Sequence, residues 1–326
     1  MTFGEEWGWG ASKDESRKVF EAFAAAGGNF IDTANHYTGG TSERFVGEFL
    51  GADRHRFVVA TKYTLNGRPD DPNAGGNHRK AMVQALEASL RRLGTDSIDL
   101  YWVHAWDPMT PTDEVMRALD DVVRAGKVLY VGVSDTPAWV VARANTLAEL
   151  KGWSAFVGLQ IPYSLIERTP ERELLPMARA LDVAVTPWGV LGGGLLSGKF
   201  RSITDRPSDT RLGSTAWGER TLTEHNLRIG EAVKAVANEG GWTPSQVALA
   251  WVRRQPWGVV VPILGARTAT QLADNLGCLA VELSDDQLAR LDRASRVELG
   301  FPTDFLLQVR QILYGNTYPL VDDHRR

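Results

Sequence analysis

The sequence predicts a single α/β domain, residues 1–326, of the (β/α)8 (TIM) barrel class with a truncated first strand. Three observations carry that expectation. Seven short runs, nearly continuous in apolar residues, alternate with amphipathic segments, the pattern of parallel strands covered on both faces. No linker or composition shift divides the chain, and seven strand–helix units plus a partial first strand suit a closed ring of eight. No G-x-G-x-x-G follows any run, which disfavours an open doubly wound sheet, the other arrangement this alternation fits.

The runs are Asn29–Asp32, Phe57–Thr61, Ile98–His104, Val128–Ser134, Phe156–Gln160, Val183–Pro187 and Val259–Leu264. Helical spacing marks Ser12–Ala26, Ser42–Leu50, Arg79–Leu93, Asp113–Ala125, Pro137–Leu150, Pro170–Leu181 and Pro244–Arg254. Ser12 with Glu15 and Ser284 with Gln287 read as capping boxes. Thr136-Pro137, Thr169-Pro170 and Thr243-Pro244 each pair an N-cap with a first-turn proline, and Gly27 stands where a helix-ending glycine belongs. Two stretches exceed a bare barrel. Residues 200–220 form a polar loop long enough to act as a lid or binding loop, one that bound cofactor would order. The tail, 296–326, carries Phe301, Phe305, Tyr314 and Tyr318, and either docks, frays or closes over a site.

Composition narrows the function classes. Hydrophobic residues make up 43% and charged residues 23%, ordinary for a soluble domain. The 36 Lys+Arg and 40 Asp+Glu give a net charge of −4 without a like-charge block, against nucleic acid or an anionic membrane as partner. Cys278 stands alone, so no internal disulfide or thiolate metal cluster can form, and no metal is expected. The opening MTFGEEWGWG lacks a secretory pattern, and apolar stretches such as 257–266 are too short to span a bilayer. A cytoplasmic protein is expected; oligomeric state has no signature in the sequence.

In a barrel, chemistry sits at the carboxyl ends of the strands. Asp32 ends the first run, with Tyr37 five residues later; Lys62 follows FVVAT, and His104 closes IDLYWVH. Taken singly, each has an ordinary reading as a turn, solvated, packing or structural residue. Together on one rim they support proton donation to a carbonyl. A phenol is too weak an acid at neutral pH, and a cationic Lys62 beside Tyr37 would lower its pKa while Asp32 keeps Lys62 charged. His104 would orient the carbonyl oxygen. None of the four supplies electrons, so reduction requires a cofactor.

These residues lie in GGNFIDTANHY (27–37), VATK (59–62), DLYWVH (99–104), GKVLYVGVSD (126–135), QIPYSLIER (160–168), PWGVLGGGLLSGK (187–199) and GARTATQLADN (265–275). In that order and spacing the sequence resembles the aldo-keto reductase family of NADP-dependent oxidoreductases over nearly its whole length. The resemblance implies that Asp32, Tyr37, Lys62 and His104 are the catalytic tetrad, with Tyr37 as the acid. It implies that Ser134, Asp135 and Gln160 hold the nicotinamide carboxamide and that Trp188 stacks on the ring, although a core tryptophan fits that position as well. Gly189, Leu191, Gly193 and Lys199 match the loop over the pyrophosphate, and Gly265, Arg267, Gln271 and Asn275 match the segment at the adenosine end. Thr268 and Gln271 read as a capping box, and Arg267 just before that helix suits a 2′-phosphate, which favours NADPH.

Two departures stand out. Asp135 replaces the asparagine usual after the serine of the GVS motif, and it can accept but not donate. Only the end of a first strand is present, so either the start lies downstream of the natural one or the barrel has a shortened first strand and an uncovered bottom. The substrate is expected to be a small carbonyl compound. Trp7, Trp9, Trp106 and Trp217 would wall its pocket, and Asp107 tilts the choice slightly toward sugar-like carbonyls, though a solvent-facing loop aspartate is the plainer reading. The competing function is a slow-turnover NADPH-binding, redox-sensing subunit of a larger complex. A glycoside hydrolase would need a second strand-end carboxylate that the sequence does not offer.

Overall fold

The computed structural model describes residues 1–204, 212 and 220–322. Six parallel strands, β1 (Phe30–Asp32), β2 (Val58–Tyr63), β3 (Ile98–Val103), β4 (Val128–Ser134), β5 (Phe156–Pro162) and β6 (Ala184–Trp188), pair in sequence order without a reversal. Helices α1 (Lys13–Ala25), α2 (Thr41–Leu50), α3 (Arg79–Leu93), α4 (Thr112–Arg124), α5 (Ala138–Lys151) and α6 (Leu174–Ala180) provide the crossovers, and each packs on the next. Right-handed crossovers of this kind put every helix on one face, so the sheet curls with its other face inward.

Register decides which side chains share that inner face. Asp32 lies opposite Ala60, Ala60 opposite Leu100, Ser134 opposite Gln160, and Gln160 opposite Thr186. Because side chains alternate along a strand, Asp32, Lys62, Trp102, Ser134, Gln160 and Trp188 all belong to one face. The intervening residues, Val59, Tyr101, Val103, Val131, Val133, Leu159 and Ile161, form the main core under the helices. On the inner face Trp102 fills the middle of the curled sheet. A Cβ at Gly132 would stand 2.4 Å from its indole and one at Gly158 2.8 Å, so only glycine fits at either position. Toward the amino ends of the strands the inner face opens to solvent at Val58 and Tyr130.

The seventh run, Val259–Leu264, is extended but forms no regular strand. It lies parallel to β6 through Val185 N–H to Val259 O, Val261 N–H to Val185 O and Ile263 N–H to Pro187 O, each 2.8 Å. Pro262 has no N–H for a neighbour on the outer side. The N-terminal residues stand near that edge: Thr2 Cγ2 is 3.5 Å from where a Gly265 Cβ would be, and Thr38 Oγ1 donates to Phe3 O at 2.9 Å. Between β6 and this run come α7 (Glu224–Gly240) and α8 (Pro244–Arg253), and after it α9 (Ala269–Leu276) and α10 (Asp285–Ala294).

Several helix starts differ in detail from expectation. The Ser284 box closes fully with Gln287, and Thr243, read only as an N-cap before proline, forms a full box with Gln246. Ser12 accepts from Glu15 N–H, but the Glu15 carboxylate turns to Lys18 and to Ala269 N–H, so that box is half-formed. Thr136 donates back to Ser134 O instead of capping α5, and Thr169-Pro170 opens only a 3-10 turn, Thr169–Arg172. The tail forms α11 (Thr303–Gln308) and α12 (Arg310–Tyr314) with no buried residue, and Phe301 remains 86% exposed. Among the described residues no helix is long and apolar enough to cross a membrane.

Candidate active site

Past β1 the chain keeps its pairing with β2, since Thr33 N–H donates to Ala60 O and Asn35 N–H to Lys62 O. That pairing carries Tyr37 over the end of β2. A left-handed turn at Thr38 (φ 48°) and the two following glycines then leads into α2, fixed where Thr38 Oγ1 accepts from Ser42 N–H. Lys62 is fully buried, in an ion pair with Asp32, and donates to Thr33 O at 2.7 Å. Its ammonium lies 4.9 Å from the centre of the Tyr37 ring. The His104 imidazole meets the same ring edge-on, with centroids 5.6 Å apart. The four residues read from the strand ends are thus brought together.

Their protonation follows from burial and from one another. Burial pulls Lys62 down, but Asp32 and Tyr37 more than offset it, so Lys62 stays charged. Burial, then Lys62, push His104 down to about 2, which leaves a neutral imidazole at physiological pH. The Tyr37 phenol is raised by burial, against the opposing pull of Lys62. This corrects the expectation that Lys62 lowers the phenol below its ordinary value: the resting hydroxyl keeps its proton, and Lys62 reduces the cost of losing it.

Ser134 and Gln160 follow on the same rim, both buried. Gln160 Nε2 donates to Asp32 Oδ1 at 3.1 Å, which ties the tetrad to this group. Ser134 Oγ is buried without a hydrogen bond of full geometry. Burial raises the neighbouring Asp135 carboxyl above its ordinary value, against the opposing pull of Trp188, Ser134 and Lys62. An orphaned hydroxyl beside a buried amide fits the carboxamide of a nicotinamide. Asp135 has a left-handed backbone (φ 45°), and its Oδ1 accepts from Trp188 Nε1 at 3.3 Å. Half-buried Trp188 therefore belongs to the rim and not the core.

Beyond Trp188, Gly189 and Leu191 lead into a tight turn, Gly192–Ser197, and Lys199 is exposed after it. Gly193 has φ 66°, and a Cβ there would meet Leu212 at 2.7 Å. Gly265, Arg267 and Gln271 stand at the start of α9 and Asn275 in its last turn, a separate group packed on α1 through Ala266, Leu272 and Val19. Thr268 caps Gln271 N–H, but Gln271 Oε1 accepts from Arg267 N–H at 3.0 Å instead of completing a box with Thr268. Asn275 is buried. Glu15 Oε1 accepts from Ala269 N–H at this helix start, a contact across 254 residues that no local pattern signals.

The tryptophans divide. Trp7 stands edge-on to Tyr37 at 6.2 Å and beside His36 at 5.7 Å, and Trp9 packs on Trp7 at 5.9 Å. Trp106 is half-buried, its N–H 3.5 Å from Asp135 O. Trp217 lies outside the described residues, as do most of 200–220. Asp107 is a loop clamp: it accepts from Asn77 N–H, Met109 N–H and the Thr110 hydroxyl, which leaves the tilt toward sugar-like substrates without its support. Beneath the site, buried Glu43 binds Thr61 Oγ1 at 2.6 Å and Arg92 at 2.5 Å. The SER triplet at Ser42–Arg44 carried no visible sign of that network.

The model of the Aldo/keto reductase family matches residues 1–296. Among similar proteins, the norsolorinic acid reductase of Aspergillus flavus is 38% identical over 94% of this chain and 79% of its own. The NADP(+) aryl-alcohol dehydrogenase of Phanerodontia chrysosporium is 38% identical over 93% of this chain and 82% of its own. A probable aryl-alcohol dehydrogenase of Saccharomyces cerevisiae is 36% identical, covering 90% of this chain and 92% of its own. Matches of this extent leave one conclusion: the chain belongs to the aldo/keto reductase family, as an oxidoreductase that uses a nicotinamide cofactor.

Proposed function

We propose that the protein interconverts an aldehyde or ketone and its alcohol with NADPH as hydride donor, and that Tyr37 donates the proton. The reading rests on the Tyr37 phenol standing between charged Lys62 and neutral His104 on a rim that also carries Ser134 and Gln160. Bound at this rim, the nicotinamide supplies the hydride. Tyr37 gives its proton to the carbonyl oxygen as negative charge develops there. Lys62 stabilises the phenolate that remains, and Asp32 with Thr33 O keeps the ammonium charged and aimed. Neutral His104 orients the carbonyl through a hydrogen bond without competing as an acid. In the oxidative direction the same groups return the proton.

Ser134, Asp135 and Gln160 would hold the carboxamide, with Trp188 on the ring face. Gly189, Leu191, Gly193 and Lys199 would follow the pyrophosphate, and Gly265, Arg267, Gln271 and Asn275 the adenosine 2′-phosphate. The frame assumed is the family's eight-stranded barrel, with residues 2–4 standing between Gly265, just past the seventh run, and Thr38. For substrate we propose aromatic carbonyls and aryl alcohols: Trp7, backed by Trp9, lines the approach to Tyr37, and two of the relatives are named for aryl alcohols. An aromatic wall contributes flat apolar contact at little entropic cost. The complete tetrad weighs against a slow regulatory subunit. Consumption of NADPH with benzaldehydes, aliphatic aldehydes and aldoses tests the reading, and turnover is expected to be fastest with benzaldehydes. Faster turnover of aldoses would overturn the substrate class, and no turnover with any would overturn the activity.

A further inference from the structure

Asp135 is a charged side chain on the rim that takes no part in the proton transfer. Its position is strongly determined. Its N–H donates to Gln160 O at 3.2 Å, its carbonyl faces Trp106 N–H at 3.5 Å, and its backbone is left-handed. Its carboxylate accepts from the Trp188 indole and is exposed at the rim. Nearby charges do not cancel it: Lys62 is matched by Asp32, and His104 is neutral. Asp135 therefore contributes the net charge on this part of the rim.

We propose that Asp135 sets the preference of the site between the two redox forms of the cofactor, its carboxylate favouring the oxidised nicotinamide, which is cationic, over the reduced one, which is neutral. The inference rests on the cofactor placement proposed above. A carboxamide contact alone would serve both forms equally, because the carboxamide is the same in each. A negative charge beside the ring distinguishes them, and it does so through Coulomb attraction that strengthens as the bound ring excludes water. In carbonyl reduction the carboxylate stabilises the product complex, so hydride transfer on the enzyme becomes more favourable and release of the oxidised cofactor becomes slower. In alcohol oxidation the same charge lets the enzyme fill at a lower concentration of oxidised cofactor.

The test is two equilibrium titrations, of NADP+ and of NADPH, followed by tryptophan fluorescence at about pH 8, chosen well above the ordinary carboxylate range because burial raises the Asp135 carboxyl. Asp135→Asn keeps the acceptor for Trp188 and tolerates the left-handed backbone, so it removes little but the charge. Asp135→Gly fits that backbone and removes the side chain entirely. Both variants are expected to shift the ratio of the two dissociation constants about tenfold against NADP+, the size of one charge contact in a partly buried site. NADP+ should also become a weaker product inhibitor. An unchanged ratio in variants that still bind both forms would overturn the inference and leave the cofactor placement standing. No binding of either form to the unaltered protein would overturn both.

Discussion

The two halves of the site are built differently. From β1 to β5 the functional side chains stand on or next to paired strands, and each is fixed by its neighbours: Lys62 by Asp32 and Thr33, Asp32 also by Gln160. After β6 they stand on turns and a helix start, with Lys199 exposed between them. Strand pairing places a group to a fraction of an ångström, which proton transfer requires. An anion needs only several donors converging from one side, and loops can supply those. The comparison teaches that, under the proposed function, register carries the proton chemistry, whereas turns and a helix start carry the choice of cofactor.

The sharpest way to break that comparison is Tyr37→Phe. It removes one oxygen from the strand-borne half and should lower turnover at least about a hundredfold, the low end of general acid catalysis. NADPH affinity measured by fluorescence should stay within about twofold, because the loop-borne half is untouched. Residual activity above a hundredth would show that Tyr37 is not the acid.

Lys62→Met separates packing from chemistry. Lys62 is fully buried, so its loss strands the Asp32 charge, a change worth roughly 3–5 kcal/mol in stability. Denaturant unfolding should show that fall, and Lys62→Met combined with Asp32→Asn should recover much of it while remaining inactive. Recovery of activity in the double variant would contradict the role given to the ammonium.

The sequence exposes these two halves unequally. Asp32, Lys62 and Gln160 could be found because a charged or amide residue closing an apolar run is conspicuous, and strand period does the rest. Tyr37 was found, but not the direction of its shift, which depends on how much protein surrounds it. Asp107 misled because a loop carboxylate looks alike whether it faces solvent or clamps Asn77 and Thr110. The seventh run was legible in the sequence, and Pro262 removes a donor on its side away from β6. The Glu15–Ala269 contact and the Glu43–Arg92 pair join segments far apart in the chain, and no local periodicity reports them.

Arg267→Ala probes the loop-borne half directly. A charge-assisted pair to a 2′-phosphate is worth roughly 1.5–3 kcal/mol, so NADPH should weaken by about one to two decades while NADH hardly changes. High salt should narrow the gap. Equal weakening of both cofactors would place Arg267 elsewhere.

A pH series tests the other half again. His104 titrates near its ordinary value when unfolded but only at about 2 when folded, so the unfolded chain binds the extra proton. Stability from this group is full above about pH 6.5 and declines as pH falls toward 2, by at most about 1.4 kcal/mol per unit. His104→Gln should flatten that part of the unfolding profile between about pH 6 and 4. An unchanged slope would show that His104 is protonated in the folded protein.

The smallest effect belongs to Glu15, which brings the two ends of the chain together. Its Oε1 accepts from Ala269 N–H at 3.2 Å, and that bond is the main reason its carboxyl is held below the ordinary range. Under the proposed cofactor placement a 2′-phosphate would lie at the start of α9, and a carboxylate already there repels a second anion while satisfying the Ala269 donor. Lys18, 3.2 Å from the other oxygen, offsets part of that charge. Glu15→Gln keeps an acceptor for Ala269 and removes the repulsion, so NADPH should bind roughly two- to fivefold tighter. NADH, without the 2′-phosphate, should bind as before, and added salt should erase the difference. If NADPH and NADH tighten together, the gain comes from elsewhere in the cofactor. If neither changes while Arg267→Ala still discriminates between them, Arg267 grips the phosphate without help from the helix start.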